Sequence, residues 1–345
     1  MGRRAPDGRH DLRGRGRPEL VGSHRGRTGR HPRPRRADRR RPVTAVDTRP
    51  VAPAPGTPEW QRLVTASKVA AILGLSPWDS PRSVWHVLRG EVPADDGRNG
   101  DVKARGHYLE DGILRWWCDQ HPEFGHVKRQ FYRELGTWAA ATPDGAAWRT
   151  RPARFAQVQP PEAVVDAKTA RDDDEWGAPG TDEVPAYYAA QMQWQMHVTG
   201  ARRGYIALLT TRLDFREYRL DYDPDTAAGL EQIAHDFWLS TQDPTAAPAL
   251  DDHVATFDTL KRLHPLIQPD TSVEISETAA REFVEAQAAK KAAEAAERAA
   301  KSRLLEAMGS ARLAKYGDVV VARRQGNKTG VSLVGVAKTL TEPKE

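Results

Sequence analysis

The stretch AVVDAKT, residues 163–169, is an apolar run that ends in a carboxylate, a small residue and a lysine. If this run forms a strand, Asp166 and Lys168 lie two residues apart and point to the same face. Val165 then points to the opposite face, into a core. An acid and an ammonium on one face at a strand end are suited to a metal-and-water site, whereas an isolated D-x-K more often forms a surface ion pair.

Length and composition limit the class of protein. The chain has 345 residues, enough for one large domain or two modest ones. Its single cysteine, Cys118, excludes an internal disulfide and a cysteine-based zinc cluster. The sequence has neither an apolar stretch that could span a bilayer nor the apolar core of a signal peptide. We therefore expect a soluble, cytoplasmic protein with no membrane partner.

The charge is unevenly distributed. Residues 1–42 contain fifteen Arg against four acidic residues, a charge of +11, so the rest of the chain carries −6 of the net +5. Because this segment has almost no bulky apolar residues, residues 1–57 are predicted to be a disordered basic Arg/Pro/Gly-rich tail and linker. The tail either grips phosphate backbones without sequence preference, or is merely solvated, or reflects a misassigned translation start.

Hydrophobic periodicity predicts an α/β protein with a mixed sheet flanked by helices, which we place at residues 58–250. The order is helix, three-strand meander, helix, strand, strand, at about 102–120, 127–134, 137–142, 155–168, 187–199, 204–209 and 215–220.

Residues 251–345 are predicted to be an accessory region that extends the domain with helical structure. It contains a long Ala/Glu/Lys-rich helix near 276–308 and a small β element near 313–337. This region is either a packing extension or an arm that contacts a protein or guides DNA.

Three further short motifs accompany the D-x-K stretch. GHYLE at 106–110 lies in a predicted helix, TPDG at 142–145 follows a strand-like run, and YYAAQ at 187–191 opens the next helix. Glu110, Asp144 and Gln191 are the polar residues of these motifs. Taken alone, each has a common structural explanation: Glu110, for example, would be an ordinary solvent-facing helical glutamate.

Together and in this order, the motifs resemble the PD-(D/E)xK restriction-endonuclease-like core, and more closely the YqaJ-type viral recombinases, the family that includes phage lambda exonuclease. The patterns TAS at 65–67 and GLSPW at 74–78 extend the resemblance, which runs from about residue 60 to 220. Asp166 stands where this family usually has Glu, which makes the acid one methylene shorter.

The resemblance implies a catalytic set composed of Glu110, Asp144, Asp166, Lys168 and Gln191. Asp144, Asp166, the Ala167 backbone carbonyl and Glu110 would bind Mg²⁺ or Mn²⁺, two ions per site. Lys168 would orient the attacking water or help to deprotonate it. Gln191 would bind that water or the scissile phosphate.

The family's R…TAS pattern also implies contacts to a DNA 5′ phosphate from Arg62 and Ser67. We expect Ser67 to cap the helix that follows it, because Ser is a favoured N-cap residue and a helix N-terminus suits a phosphate. Simple capping is the alternative role for Ser67.

The function implied is that of a metal-dependent DNA exonuclease of phage or prophage origin. It would hydrolyse linear duplex DNA from 5′ to 3′ and leave a 3′ single strand for an annealing protein. The ring that the phage lambda relative forms around DNA implies a homotrimer. Two alternatives stay open: a PD-(D/E)xK nuclease of repair or restriction type, and a catalytically silent DNA-binding module of the same fold.

Overall fold

The computed structural model describes residue 53 and residues 57–94, 100–133, 138–151, 159–171, 174–328, 330–336 and 340. The chain divides into two units, Met1–Pro53 and Ala54–Glu345, and all the helices and strands below lie in the second. The predicted basic tail therefore falls almost entirely outside the described residues.

The structure is built from short strands and longer helices. The helices are α1 (Pro58–Gln61), α2 (Ala66–Ile72), α3 (Pro81–Arg89), α4 (Gly100–Gln120), α5 (Ala186–Thr199), α6 (Pro224–Ser240), α7 (Val254–Leu263) and α8 (Glu277–Met308). The strands are β1 (Val64–Thr65), β2 (His126–Lys128), β3 (Tyr132–Arg133), β4 (Ala139–Ala141), β5 (Gly145–Trp148), β6 (Ala163–Ala170), β7 (Arg203–Thr210), β8 (Phe215–Asp221), β9 (Leu313–Tyr316), β10 (Val319–Asn327) and β11 (Gly330–Gly335).

The central sheet has the order β2-β5-β6-β7-β8, in which β6 and β7 are parallel and the other pairs are antiparallel. Helix α4 contacts one face of β6 and β7, and helix α5 contacts the other. The predicted mixed sheet flanked by helices is thus confirmed. Val165 packs with Ile113 and Trp117 of α4, as expected for a residue that faces away from Asp166.

Helix α5 lies between the central sheet and a second small sheet of order β1-β4-β3. Trp194 is fully buried there: it packs with Trp138 and Val64, and its indole N–H donates to the Ala140 carbonyl at 3.1 Å. Helix α5 is therefore packed on both sides. This packing holds its polar side chains in position toward β6.

The predicted three-strand meander is wrong in its pairing. The run at 127–134 splits into β2, which pairs with β5, and β3, which pairs with β4 in the small sheet. The turn expected at Asp144 and Gly145 instead begins strand β5. A Cβ at residue 145 would lie 2.9 Å from Val127 Cγ1, so this strand entry needs glycine for close approach rather than for a turn.

The accessory region contains the two elements that were predicted, the long helix α8 and a meander of order β11-β10-β9. Helix α7, which we assigned to this region, packs on α3 of the body, and Ser80 Oγ lies 2.6 Å from Thr256 Oγ1. The domain boundaries remain a prediction. Within the part of the chain that is described, no helix has the length and apolarity needed to cross a membrane.

Candidate active site

Asp166 is the centre of the polar cluster between β6 and α5. Its side chain is 2% exposed, and Oδ2 accepts hydrogen bonds from Lys168 Nζ at 2.6 Å and from Gln191 Nε2 at 2.7 Å. Oδ1 accepts from Gln195 Nε2 at 2.9 Å. Three donors hold this carboxylate in one orientation, and the charge-assisted bond to Lys168 compensates its burial.

The local sequence explains how these groups meet. Along β6 the side chains alternate, so Asp166 and Lys168 share the face that α5 covers. On α5, Gln191 and Gln195 are one turn apart and therefore lie on the same side of the helix. The helix begins after Pro185, which leaves both glutamines within reach of the strand.

Asp144 stands at the start of β5, next to the point where β5 and β6 part. Its Oδ2 accepts a hydrogen bond from the Ala167 N–H at 2.9 Å, and its Oδ1 accepts one from Arg129 at 2.9 Å. Strand pairing between β5 and β6 covers only 145–147 and 163–165, so Ala167 lies beyond it. Because the N–H and C=O of a strand residue point to the same side, the Ala167 carbonyl also faces this opening.

Glu110 joins the cluster from α4. The Arg129 guanidinium forms ion pairs with both Glu110 and Asp144, and His107 Nδ1 lies 3.7 Å from Glu110 Oε2. A single exposed cation thus bridges two carboxylates that come from different elements. Through this bridge the side chains of α4, β5 and β6 converge on one opening.

The electrostatics of the cluster follow from burial and like charge. Burial raises the pKa of Asp144, and the nearby negative charge of Asp166 raises it further, against the opposing effects of Lys168 and Arg129. Burial alone would lower the pKa of Lys168, but the attraction of Asp166 and Asp144 outweighs it and holds that pKa above its usual range. Lys168 is therefore an ammonium at neutral pH.

The residues fit a hard divalent cation by their chemistry. Asp144, Asp166, Glu110 and the Ala167 carbonyl offer only oxygen donors, as Mg²⁺ and Mn²⁺ prefer. Among the residues described, no group of three or more His, Cys, Asp or Glu side chains is arranged to hold a metal ion. Instead, Arg129 supplies the positive charge between Glu110 and Asp144.

The structure brings the five predicted catalytic residues together, and the two predicted phosphate contacts lie on other elements, Arg62 at the end of α1 and Ser67 in α2. Ser67 is exposed, and its hydroxyl lies 3.2 Å from the Thr65 hydroxyl. The prediction that Ser67 caps helix α2 is wrong, because the N-cap residue is Thr65, whose backbone is still extended. Arg62 is exposed at the end of α1 and lines a cavity of about 590 Å³ together with Trp238.

Sequence reasoning missed Gln195 and Arg129. Helical periodicity could have found Gln195, four residues after Gln191, whereas the nearer glutamine on the same helix is Gln193. That residue faces the other way: it donates to the Asp221 carbonyl at 2.9 Å and accepts from the Asp223 N–H at 3.1 Å. For Arg129 no sequence signal existed, since its role depends on how β2 pairs.

Comparison with known proteins confirms the family resemblance. Residues 59–202 match the family model described as the YqaJ-like viral recombinase domain, and this range contains all five predicted catalytic residues. The protein YqaJ of Bacillus subtilis (strain 168), described as uncharacterized, is 21% identical over 235 residues. The match covers 63% of this chain, which spans about 65% of the length of YqaJ.

Two solved structures are also similar to part of the chain. An alkaline exonuclease from Laribacter hongkongensis is 18% identical, with a TM-score of 0.40, and the match covers 53% of this chain and 89% of that one. A phage related exonuclease from Haemophilus somnus 129PT is 14% identical, with a TM-score of 0.34, and the match covers 52% of this chain and 94% of that one.

Proposed function

We propose that this protein is a metal-dependent DNA exonuclease of phage-recombination type. It hydrolyses phosphodiester bonds of linear duplex DNA from 5′ to 3′ and leaves a 3′ single strand. The observation that carries the proposal is the convergence of Asp144, Asp166, Lys168 and Gln191 at one opening beside β6. The match of residues 59–202 to a viral recombinase domain supports it.

The metal ligands proposed are Asp144, Asp166, Glu110 and the Ala167 carbonyl, for two Mg²⁺ or Mn²⁺ ions. Bound cations of this kind neutralise phosphate charge and lower the pKa of bound water. The raised pKa of Asp144 beside Asp166 supports the assignment, because two neighbouring carboxylates favour a cation between them. The Arg129 guanidinium would compete with such a cation for Glu110 and Asp144.

The remaining residues of the proposed catalytic set orient the attacking water and stabilise charge. Lys168 is an ammonium in its present surroundings, so it stabilises negative charge on the phosphate or orients the attacking water. Proton removal by Lys168 requires that its pKa fall. Gln191 donates its amide to Asp166, which leaves its carbonyl oxygen to accept a hydrogen bond from that water. Gln195 donates to the other oxygen of Asp166 and so holds the carboxylate in the orientation in which it accepts from Lys168 and Gln191.

The substrate proposed is the end of a double-stranded DNA, and the partner is a single-strand annealing protein. Arg62 and Ser67 are proposed contacts to the 5′ phosphate; both side chains are exposed, and Arg62 lines a cavity large enough for a nucleotide. A homotrimer would enclose the duplex and make digestion processive. This reaction would take place in the cytoplasm of the host cell, with the gene carried by a phage or prophage.

The decisive experiment compares linear duplex DNA bearing a 5′ phosphate with the same DNA as a closed circle, in Mg²⁺ and in EDTA. We expect loss of the linear form only, in Mg²⁺ only, with single-stranded 3′ ends as products. Lys168→Ala should abolish this loss. Lys290→Ala, which removes an exposed lysine on α8, is the matched control and should cut at the normal rate.

Other outcomes point to the other functions. Equal cutting of circles favours a repair or restriction nuclease. DNA binding in EDTA without cleavage in any metal favours a silent binding module, and one observation supports that alternative: the Arg129 guanidinium pairs with both Glu110 and Asp144.

A further inference from the structure

Four aromatic side chains form a wall beside the candidate active site. We call Trp78, Trp176, Tyr187 and Tyr188 the aromatic wall. The ring centroids of Trp78 and Tyr187 are 5.1 Å apart, those of Tyr187 and Tyr188 are 4.5 Å apart, and those of Trp176 and Tyr188 are 5.5 Å apart. The wall joins the loop before α3, the segment before α5 and the first turn of α5.

Two cavities lie against the wall, and both are lined by Trp78, Tyr188 and Thr169. The larger, of about 320 Å³, is lined by Ala167 and Lys168 of the active site as well as by Trp78 and Tyr188. The smaller, of about 120 Å³, continues past Trp78 and Tyr188 to Arg171. Lys168 Nζ lies 5.4 Å from the centre of the Tyr188 ring, so the wall begins at the catalytic set itself.

The exposure of the aromatic wall and the charge of the cavities beside it indicate which kind of ligand the wall binds. Trp78 is 47% exposed although its neighbours are aromatic. Lys168 and Lys103 line the larger cavity together with one acidic residue, Asp79. The smaller cavity is lined by one basic residue, Arg171, and one acidic residue, Glu175. An exposed aromatic surface beside a cavity with an excess of basic side chains suits a nucleobase that is joined to a phosphate.

We propose that Trp78 is the stacking platform for a nucleobase of the strand being cut. The nucleotide whose phosphate lies at Lys168 places its base against the Trp78 indole, with Tyr188 at the side. This inference deepens the proposed nuclease function and rests on it. Because every base has a π-face, such a platform orients the scissile phosphate without imposing a sequence preference.

The test combines a protein change with a substrate change. Trp78→Ala and wild type are compared on a duplex with intact 5′-terminal nucleotides and on duplexes that carry an abasic site at the first, second or third position. Binding is measured by fluorescence anisotropy in EDTA, and single-turnover cleavage is measured in Mg²⁺. Trp116→Ala is the control, because Trp116 is 45% exposed and stacks on Phe215 at 4.9 Å, away from both cavities.

We expect the loss of affinity caused by Trp78→Ala and the loss caused by the missing base to be non-additive. Trp78→Ala should bind intact DNA on the order of 10- to 100-fold more weakly, the range for loss of one base–aromatic stack. At one of the abasic positions, the affinity of wild type should fall by a similar factor relative to intact DNA. The affinity of Trp78→Ala for the same abasic duplex should be only slightly lower than its affinity for intact DNA. Trp78→Phe should restore most of the affinity, and thermal unfolding of each variant verifies that it is folded.

Additive losses, or equal effects of Trp78→Ala and Trp116→Ala, would overturn the proposal. If wild type cleaves DNA but the losses are additive, the stacking role fails alone. If the losses are non-additive in binding but no DNA is cleaved in any metal, the nuclease function fails and the stacking role stands. A wild-type protein that neither binds DNA in EDTA nor cleaves it in Mg²⁺ would overturn both proposals.

Discussion

Asp166→Ala should abolish cleavage and also destabilise the protein, because Asp166 is at once a proposed metal ligand and a buried partner of three donors. Removal of a metal ligand that contributes no core volume would by itself be expected to spare the fold. The structure changes that expectation. Without the carboxylate, the Lys168 ammonium loses its partner at 2.6 Å and the Gln195 amide loses its hydrogen bond at 2.9 Å.

The size of the effect follows from the burial of these partners. Lys168 is 17% exposed, and removing one member of a buried ion pair costs about 3–5 kcal/mol. Asp144 also attracts Lys168 and can compensate part of the lost charge, and loss of Asp166 relieves its repulsion of Asp144. We therefore expect the free energy of unfolding to fall by about 3 kcal/mol, or Tm by roughly 6–12 °C.

The assay is chemical unfolding of Asp166→Ala, Lys168→Met and the double variant. Because Lys168→Met removes the unpaired ammonium, the double variant should be more stable than Asp166→Ala by about 2 kcal/mol, which gives a positive coupling energy. Asp221→Ala, which removes a carboxylate that is 68% exposed, is the control and should change the free energy of unfolding by about 0.5 kcal/mol or less.

A loss smaller than about 1 kcal/mol in Asp166→Ala, or additive effects in the double variant, would refute the reasoning. Either result would mean that Asp166 and Lys168 are not a buried pair. Normal cleavage by folded Asp166→Ala would separately remove Asp166 from the proposed site.

Three further predictions concern metal affinity, pH and the basic tail. Arg129→Gln should lower the half-saturating Mg²⁺ concentration for cleavage, because the guanidinium competes for Glu110 and Asp144; a higher concentration contradicts this competition. Burial lowers the pKa of Lys68 to about 7. The unfolded chain therefore binds the extra proton, so the free energy of unfolding of wild type should rise by about 2 kcal/mol from pH 7 to pH 9 and level off above pH 10. Lys68→Met should lack this gain, and parallel pH profiles of Tm would disprove the burial argument. Deleting residues 1–42 should leave Tm unchanged and weaken DNA binding only at low salt, whereas a large fall in Tm would show that the tail supports the folded unit.

Local periodicity accounts for the parts of the fold and site that were predictable. The alternation of β6 puts Asp166 and Lys168 on one face, and the pattern of α5 brings Gln191 to that strand. The expected mixed sheet flanked by helices follows from the same two sequence periods, that of strands and that of helices. Strand pairing was less predictable: β3 and β5 are two and four residues long, and short runs carry too little pattern to indicate which neighbour they join.

The sequence by itself determined the acid, the lysine and the glutamine of the site, their elements and their family resemblance, because each depends on residues close together in the chain. Only the tertiary structure decided the partner of each charge. Asp144 accepts a hydrogen bond from the Ala167 N–H, and Arg129 bridges Asp144 to Glu110. Trp78 and Lys168 line the same cavity. These contacts join distant segments through strand register and helix packing, which no local pattern encodes.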